Sequence, residues 1–509
     1  MAEILDFIVA MDIGTTNIVT LVGERNNDGK IKIIDSTITP SKGIARGDVR
    51  NVEHIVDSIK QSIDEIEQKS NIKICEAYVG LSGEHIKCSL HTGYVFIKSR
   101  DSEVSRKDVA ELSDSMQNVK VDPGQTIIHI LPETYILDGD CDISQPAGMI
   151  GKKLEGRFNI VMGNRENLNH LERCFNRAKI SISNIILSSL ASAEAVLLDD
   201  EKELGVAVVD MGGGTCDVCI YHDKTVRYMG VIPIGGNLIN KDIKSYGVLE
   251  RHVEKLKIKF GSADADSITD NKVITLAGVN NIPSKAISQK VLASIIEARM
   301  MDIIQALEKM LADSNYGEKI KGPIVLTGGC ANLKDVDKLF AKHLGREVRI
   351  ALPTIYVDDE SANMVAKPQY STAVGLLLKG AMLGRNTKVI VPDPVEVTPE
   401  VEEVVPPVVS GEEEKEHRNG VAGVNDGKVD GGVADPIIGG GTGSGNSGNG
   451  GTIGDGGAGD GGDGGNDGGG TGGHMEEEDD DATKPTMVDK FFKFFGVNSK
   501  SDSNEDDDL

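Results

Sequence analysis

The sequence has no tryptophan and only ten phenylalanines in 509 residues, yet four of the ten crowd into five positions near its end. No run reaches the roughly 20 apolar residues that a membrane-spanning helix needs. Cysteine is sparse as well: seven residues, at 75, 88, 141, 174, 216, 219 and 330, odd in number and dispersed. That pattern excludes a disulfide framework and fits a reducing compartment. The opening stretch MAEILDFIVAMDIG carries Glu3 and Asp6 where a signal peptide is positive, so a cytoplasmic protein is expected.

Basic charge is also short. The formal charge is −26, and residues from Asn386 onward, with 28 acidic and 8 basic side chains, supply −20 of it. Residues 1–385 keep an ordinary −6. A chain with no basic face cannot neutralise phosphates along a duplex, so no nucleic-acid partner is expected.

What is present is the rhythm of an α/β protein over residues 7–385. FIVAMDIG and GVAVVDMG are short apolar runs ending in Asp-x-Gly. Residues 51–69 place Val52, Ile55, Ile59, Ile63 and Ile66 at three-to-four spacing, which predicts an amphipathic helix. Residues 289–315 predict a longer helix buried on more than one side, with Met300, Met301 and Met310 as packing residues. After Arg385 the composition shifts to a Pro/Val/Glu stretch (391–416), Gly/Asp/Ser/Asn low complexity (420–473) and EEEDDD (476–481). Such a segment cannot bury enough apolar surface to offset its ordering entropy, so it reads as a disordered linker. About 100 flexible residues reach roughly 50–60 Å.

Two stretches, 198 positions apart, carry the chemistry: IVAMDIGTTNIVTLV (8–22) and VAVVDMGGGTCDVCIY (206–221). Each reads as strand, Asp, one residue, Gly, small polar turn, strand. Glycines let backbone N–H groups approach phosphate oxygens, and threonines add hydroxyl donors. The pair therefore predicts two phosphate clasps, Gly14, Thr15, Thr16 and Asn17 in the first and Gly212, Gly213, Gly214 and Thr215 in the second. Asp12 and Asp210 would face each other and hold Mg²⁺, through water.

Rival phosphate motifs are missing. There is no Gly-x-x-x-x-Gly-Lys-Ser/Thr, and the second clasp leads into a strand where a Rossmann loop opens a helix. In GPIVLTGGCANLKDVDKLFAKHLG (322–345), Gly328 and Gly329 leave room for a flat adenine, although a Gly-Gly turn also joins any strand to a helix. Glu254 and Lys257 lie one turn apart on a helix, suited either to a ribose and adenine edge or to a solvated ion pair. Cys216 and Cys219 would point to opposite faces of one strand, and the ten histidines lack metal-ligand spacing.

In this order the pieces resemble the actin/hexokinase/heat-shock-chaperone superfamily. That resemblance implies an actin-like two-lobed fold clamping Mg-ATP, and adds Gly235 and Gly236 to the nucleotide-binding set. Residues 41–88 (SKGIARGDVR…HIKC) and 131–156 (LPETYILDGDCDISQPAGMIGKKLEG) narrow the likeness to the bacterial FtsA cell-division family. The family implies subdomain 1A over 1–83, 164–203 and 365–385, with an inserted 1C over 84–163. It places 2A over 204–239 and 313–364, and 2B over 240–312. A linker (386–484), an amphipathic membrane helix (485–497) and an acidic tail (498–509) would follow. Partners implied are the tail of the tubulin-like protein FtsZ on 2B, a second copy of the chain, and other division proteins through 1C. Its place would be the cytoplasmic face of the inner membrane at the septum. An actin-like pilus-assembly ATPase and a small-molecule kinase are the alternatives. Many ATP-hydrolysing relatives carry Glu-Pro-x-Ala-Ala ahead of the second clasp. Here SSLASAEAVL (188–197) puts a serine there and Glu194 out of register, so slow turnover at most is expected.

The phenylalanines then find a use. In MVDKFFKFFGV, Met487, Val488, Phe491, Phe492, Phe494 and Phe495 cover one helical face, while Lys490 and Lys493 on the other meet anionic lipid. Four Phe at ~1.5–3 kcal/mol each give roughly 6–12 kcal/mol before ordering costs, suited to reversible attachment. Docking of this helix onto the folded lobes or a partner protein is the other reading.

Overall fold

The computed structural model describes residues 7–278, 284–384 and 386–390. In chain order it begins with strands β1 (Ile8–Ile13), β2 (Asn17–Arg25) and β3 (Ile31–Pro40), helix α1 (Val52–Ser70) and strand β4 (Glu76–Leu81). Next come β5 (Lys87–Phe96), α2 (Arg106–Ser115), β6 (Gln125–Leu137), β7 (Asp140–Ile143) and β8 (Lys153–Asn164). Helix α3 (Arg165–Ala178), strand β9 (Ser181–Leu187) and helices α4 (Ser188–Val196) and α5 (Asp199–Leu204) lead into the second half. That half holds β10 (Val206–Met211), β11 (Cys216–His222), β12 (Thr225–Ile232), α6 (Gly236–Ser245) and α7 (Glu250–Phe260). It continues through β13 (Val273–Leu276), β14 (Lys285–Ser288), α8 (Gln289–Asp313), β15 (Ile324–Thr327), α9 (Val336–Leu344) and β16 (Val348–Ile350) to α10 (Ser371–Leu383).

The apolar runs pair into two five-stranded sheets of the same topology, β9-β4-β1-β2-β3 and β16-β15-β10-β11-β12. In each, the clasp strand pairs antiparallel with its successor and parallel with a distant strand. β1 and β10 lie centrally and are covered on both faces, which is why they read as continuous hydrophobic runs. Ile55 and Ile59 of α1 and Leu376 and Leu377 of α10 pack against the first sheet's core. Ile303 and Leu307 of α8 and Phe340 of α9 do the same for the second.

The helices keep the spacing read from the sequence. Asn51 accepts from the His54 amide at 3.2 Å to start α1, and Ile55, Ile59, Ile63 and Ile66 are buried. Ser288 caps α8, whose Met300 and Met310 are buried.

Residues 87–164 form a separate four-stranded sheet, β7-β6-β8-β5, with its own small core around Leu112, Leu154, Phe158 and Ile160. It leans on the edge of the second sheet: Arg227 Nη1 donates to the Glu133 carbonyl at 2.8 Å and Asn159 Nδ2 to that of Val226 at 3.2 Å. Among the described residues no helix is long and apolar enough to cross a membrane.

Candidate functional site

Each clasp is a hairpin closed by the same bond. The Gly14 amide donates to the Asn17 carbonyl at 3.1 Å, and the Gly212 amide to that of Thr215 at 2.8 Å. Asp12 and Asp210 sit two residues ahead, at the ends of β1 and β10. The two turns abut. A β-carbon on Gly213 would overlap the Thr16 hydroxyl, and one on Gly214 the Thr15 hydroxyl. Only glycine lets the hairpins approach this closely. Thr16 Oγ1 also donates to Asn237 Oδ1 at 3.3 Å.

Helix α6 starts against the second clasp. The Gly236 amide donates to the Gly212 carbonyl at 3.1 Å, and Asn237 N to that of Gly213 at 2.8 Å, with Gly235 packed between. Lys257 Nζ reaches the Gly236 carbonyl at 3.4 Å and pairs with Glu254 at 2.9 Å. The Lys257 side chain is 9% exposed and that of Glu254 47%, so this ion pair is anchored beside the clasp with only its acid at the rim. Gly328, at φ +83°, fits where a β-carbon would strike Asp210 Oδ1. Gly329 is exposed beside it.

The structure thus gathers Asp12, Gly14, Thr15, Thr16, Asn17, Asp210, Gly212, Gly213, Gly214, Thr215, Gly235, Gly236, Lys257 and Gly328 into one place, with Glu254 and Gly329 at its edge. The tail residues Met487, Val488, Lys490, Phe491, Phe492, Lys493, Phe494 and Phe495 lie outside the described residues.

Sequence reasoning missed a third carboxylate. Asp217 is the cross-strand partner of Asp210 in the β10–β11 pair, and both are buried. Its Oδ2 accepts from Ser82 Oγ at 2.6 Å and Thr215 Oγ1 at 3.2 Å. The signal was available: in a tight hairpin the turn sets the register, which puts Asp217 opposite Asp210. Thr372, at the start of α10, donates to Asp210 Oδ2 at 2.9 Å and had no local signature.

The three carboxylates repel. Burial, then the charges of Asp210 and Asp217, push the Asp12 carboxyl up to about 8. Burial raises Asp217 to about 7 against the pull of Ser82 and Thr215. Asp210 rises through burial, opposed by bonds from Thr372 and Ser192. Among the described residues no three His, Cys, Asp or Glu side chains are set to hold a metal directly.

Glu194 is occupied elsewhere, accepting from Lys202 Nζ at 3.0 Å and Lys379 Nζ at 2.8 Å. Cys216 faces the core of the second sheet and Cys219 the opposite one, as strand alternation requires.

Two family models match the chain: the cell division protein FtsA over residues 207–375, and the SHS2 domain inserted in FtsA over residues 83–162. The cell division protein FtsA of Pseudomonas aeruginosa is 35% identical over 374 residues, 73% of this chain and 89% of that one. The chain belongs to the FtsA family. FtsA of Neisseria meningitidis serogroup B is 34% identical over 382 residues, 75% of this chain and 91% of its own. The FtsA-family chain also shares its fold with a solved PilM–PilN type IV pilus biogenesis complex. The TM-score is 0.53 at 14% identity, covering 74% of this chain and 98% of that one. The fold is the actin-like one, carrying the family's inserted domain.

Proposed function

We propose that this chain is an ATP-binding, actin-like division protein that self-associates and tethers FtsZ to the cytoplasmic face of the inner membrane at the septum. The observation that carries the nucleotide part is the meeting of the two hairpins at Thr15, Thr16, Gly213 and Gly214, with buried carboxylates directly behind. The uncompensated charge of Asp12, Asp210 and Asp217 fits a hydrated divalent cation, held through water. Amides of Thr15–Asn17 and Gly213–Thr215 would bind phosphate oxygens, Gly328 and Gly329 would seat the base, and Glu254 and Lys257 would border the ribose. Mg-ATP supplies a phosphoanhydride whose charge the cation offsets.

Hydrolysis would be slow. Glu194, the carboxylate nearest in sequence to the activating position of relatives, is held by two lysines and is no free base. Nucleotide would then act chiefly on conformation and self-association. FtsZ would dock on residues 240–312, other division proteins on 84–163, and anionic lipid on 485–497. One helix would bind weakly, and a row of them on a polymer by avidity.

Recruitment of fluorescent FtsZ filaments to liposomes in Mg-ATP tests the reading, comparing the full chain with one ended at Lys484. Recruitment by the full chain alone is expected. Recruitment by both moves the lipid contact elsewhere, and recruitment by neither ends the tether reading.

A further inference from the structure

Ser82 follows the first sheet's β4 directly, yet its hydroxyl is committed to the second sheet. It donates to Asp217 Oδ2 at 2.6 Å and lies 2.9 Å from Thr215 Oγ1. A serine has one proton to give, and the short bond to a carboxylate takes it. The Thr215 proton is then shared between Ser82 Oγ and Asp217 Oδ2, 3.2 Å away. With Asp217 ionised the bond is charge-assisted and about twice as strong as a neutral one.

The serine is held in place before any ligand arrives. Its carbonyl packs on Gly47, where no β-carbon would fit. The following residues are tied to the 44–49 hairpin: Glu84 N donates to the Arg46 carbonyl at 3.1 Å, and Arg46 pairs with Glu84 at 2.8 Å. Asn167 of α3 fixes that hairpin in turn, donating to Asp48 Oδ1 at 2.9 Å and accepting from Val49 N at 3.0 Å. One wall of the site is therefore rigid, and Ser82 projects from it onto the side chains that shape the other clasp. The first hairpin has no counterpart, since Val19 stands across from Asp12 where Asp217 stands across from Asp210.

We infer that Ser82 is a lobe-crossing positioning residue: by fastening Asp217 and Thr215 it keeps the second clasp closed against the first and slows nucleotide release. The inference rests on the nucleotide reading above. Loss of the hydroxyl leaves Asp217 Oδ2 with one donor, a buried acceptor half-satisfied, and removes one link between the walls, leaving those of Thr16 with Asn237 and Thr372 with Asp210.

Stopped-flow release of a fluorescent ATP analogue from the full chain with Mg²⁺ tests it. S82A is expected to release the analogue about tenfold faster with little change in association rate. S82T, which keeps the hydroxyl, restores slow release. In a D217N background, which keeps an acceptor but removes its charge, the effect of S82A should be smaller, because the charge-assisted part of the shared bond is already gone. A merely structural serine would lower the melting temperature of the nucleotide-free chain and leave release unchanged. Wild-type release from S82A, or full additivity with D217N, overturns the inference while the nucleotide reading stands. A wild-type chain that binds no Mg-ATP in an equilibrium titration overturns both.

Discussion

Asp12 shows how a single residue can work against the fold that carries it. Its carboxyl is pushed from 3.8 to about 8 by burial and by its two acidic neighbours. Below pH 3.8 folded and unfolded chains both hold the proton. Between 3.8 and about 8 the unfolded chain ionises first, so the folded state loses stability as pH rises. Urea unfolding without divalent cations should therefore give a lower midpoint at pH 8.5 than at pH 6. D12N should flatten this slope and be more stable than wild type at pH 8.5 by about 1 kcal/mol. It should also forfeit the stabilisation by Mg-ATP that the proposed nucleotide reading expects of the wild type. A D12N chain that keeps the wild-type slope would mean that other groups set it.

Among the elements, α4 and α10 join the halves of the molecule. The chain passes from the first sheet through α4 and α5 into the second, and returns through α10. Glu194 of α4 binds Lys202 of α5 and Lys379 of α10, with side chains 15%, 10% and 29% exposed. Removing Glu194 alone leaves half-buried Lys379 without that partner and buried Lys202 with only the exposed Asp199, at 3.8 Å, which costs about 3 kcal/mol, whereas removing charges in pairs costs less. E194Q is expected to lower the unfolding free energy by about that amount, and E194M with K202M by clearly less. Equal losses in a double-mutant cycle would deny the coupling.

These elements also mark where the sequence could be read. Helix α1 was legible because its buried isoleucines repeat at helical spacing, and both clasp hairpins because turn chemistry fixes them. Asp217 was legible in principle from the same hairpin register. Ser82 and Thr372 were not, since they enter the site from 135 and 162 residues away and nothing in their neighbourhoods points to an aspartate. The shared topology of the sheets lies between these cases: its clasps repeat visibly, while the parallel partners β4 and β15 declare themselves only in three dimensions.

For the whole molecule, charge is divided along the chain. Residues from 386 onward carry −20, with acidic runs on both sides of the phenylalanine cluster. Attachment to an anionic bilayer through that cluster would be opposed by its own flanks, so screening should help it. Cosedimentation with vesicles rich in anionic lipid is expected to strengthen as salt rises from about 50 to about 300 mM, over which the screening length falls by more than half. A segment driven by its lysines would do the opposite.

The two halves are copies in strand order but not in charge. Asp217 faces Asp210 on one side, and Val19 faces Asp12 on the other. A symmetric vise would accept an elongated anion in either direction. This one sets a single carboxylate in the first jaw against two in the second, so the two orientations of a cation-bearing phosphate chain are not equivalent. Together with the 87–164 sheet, carried by one half only, that valine-for-aspartate difference leaves no two-fold symmetry between the halves.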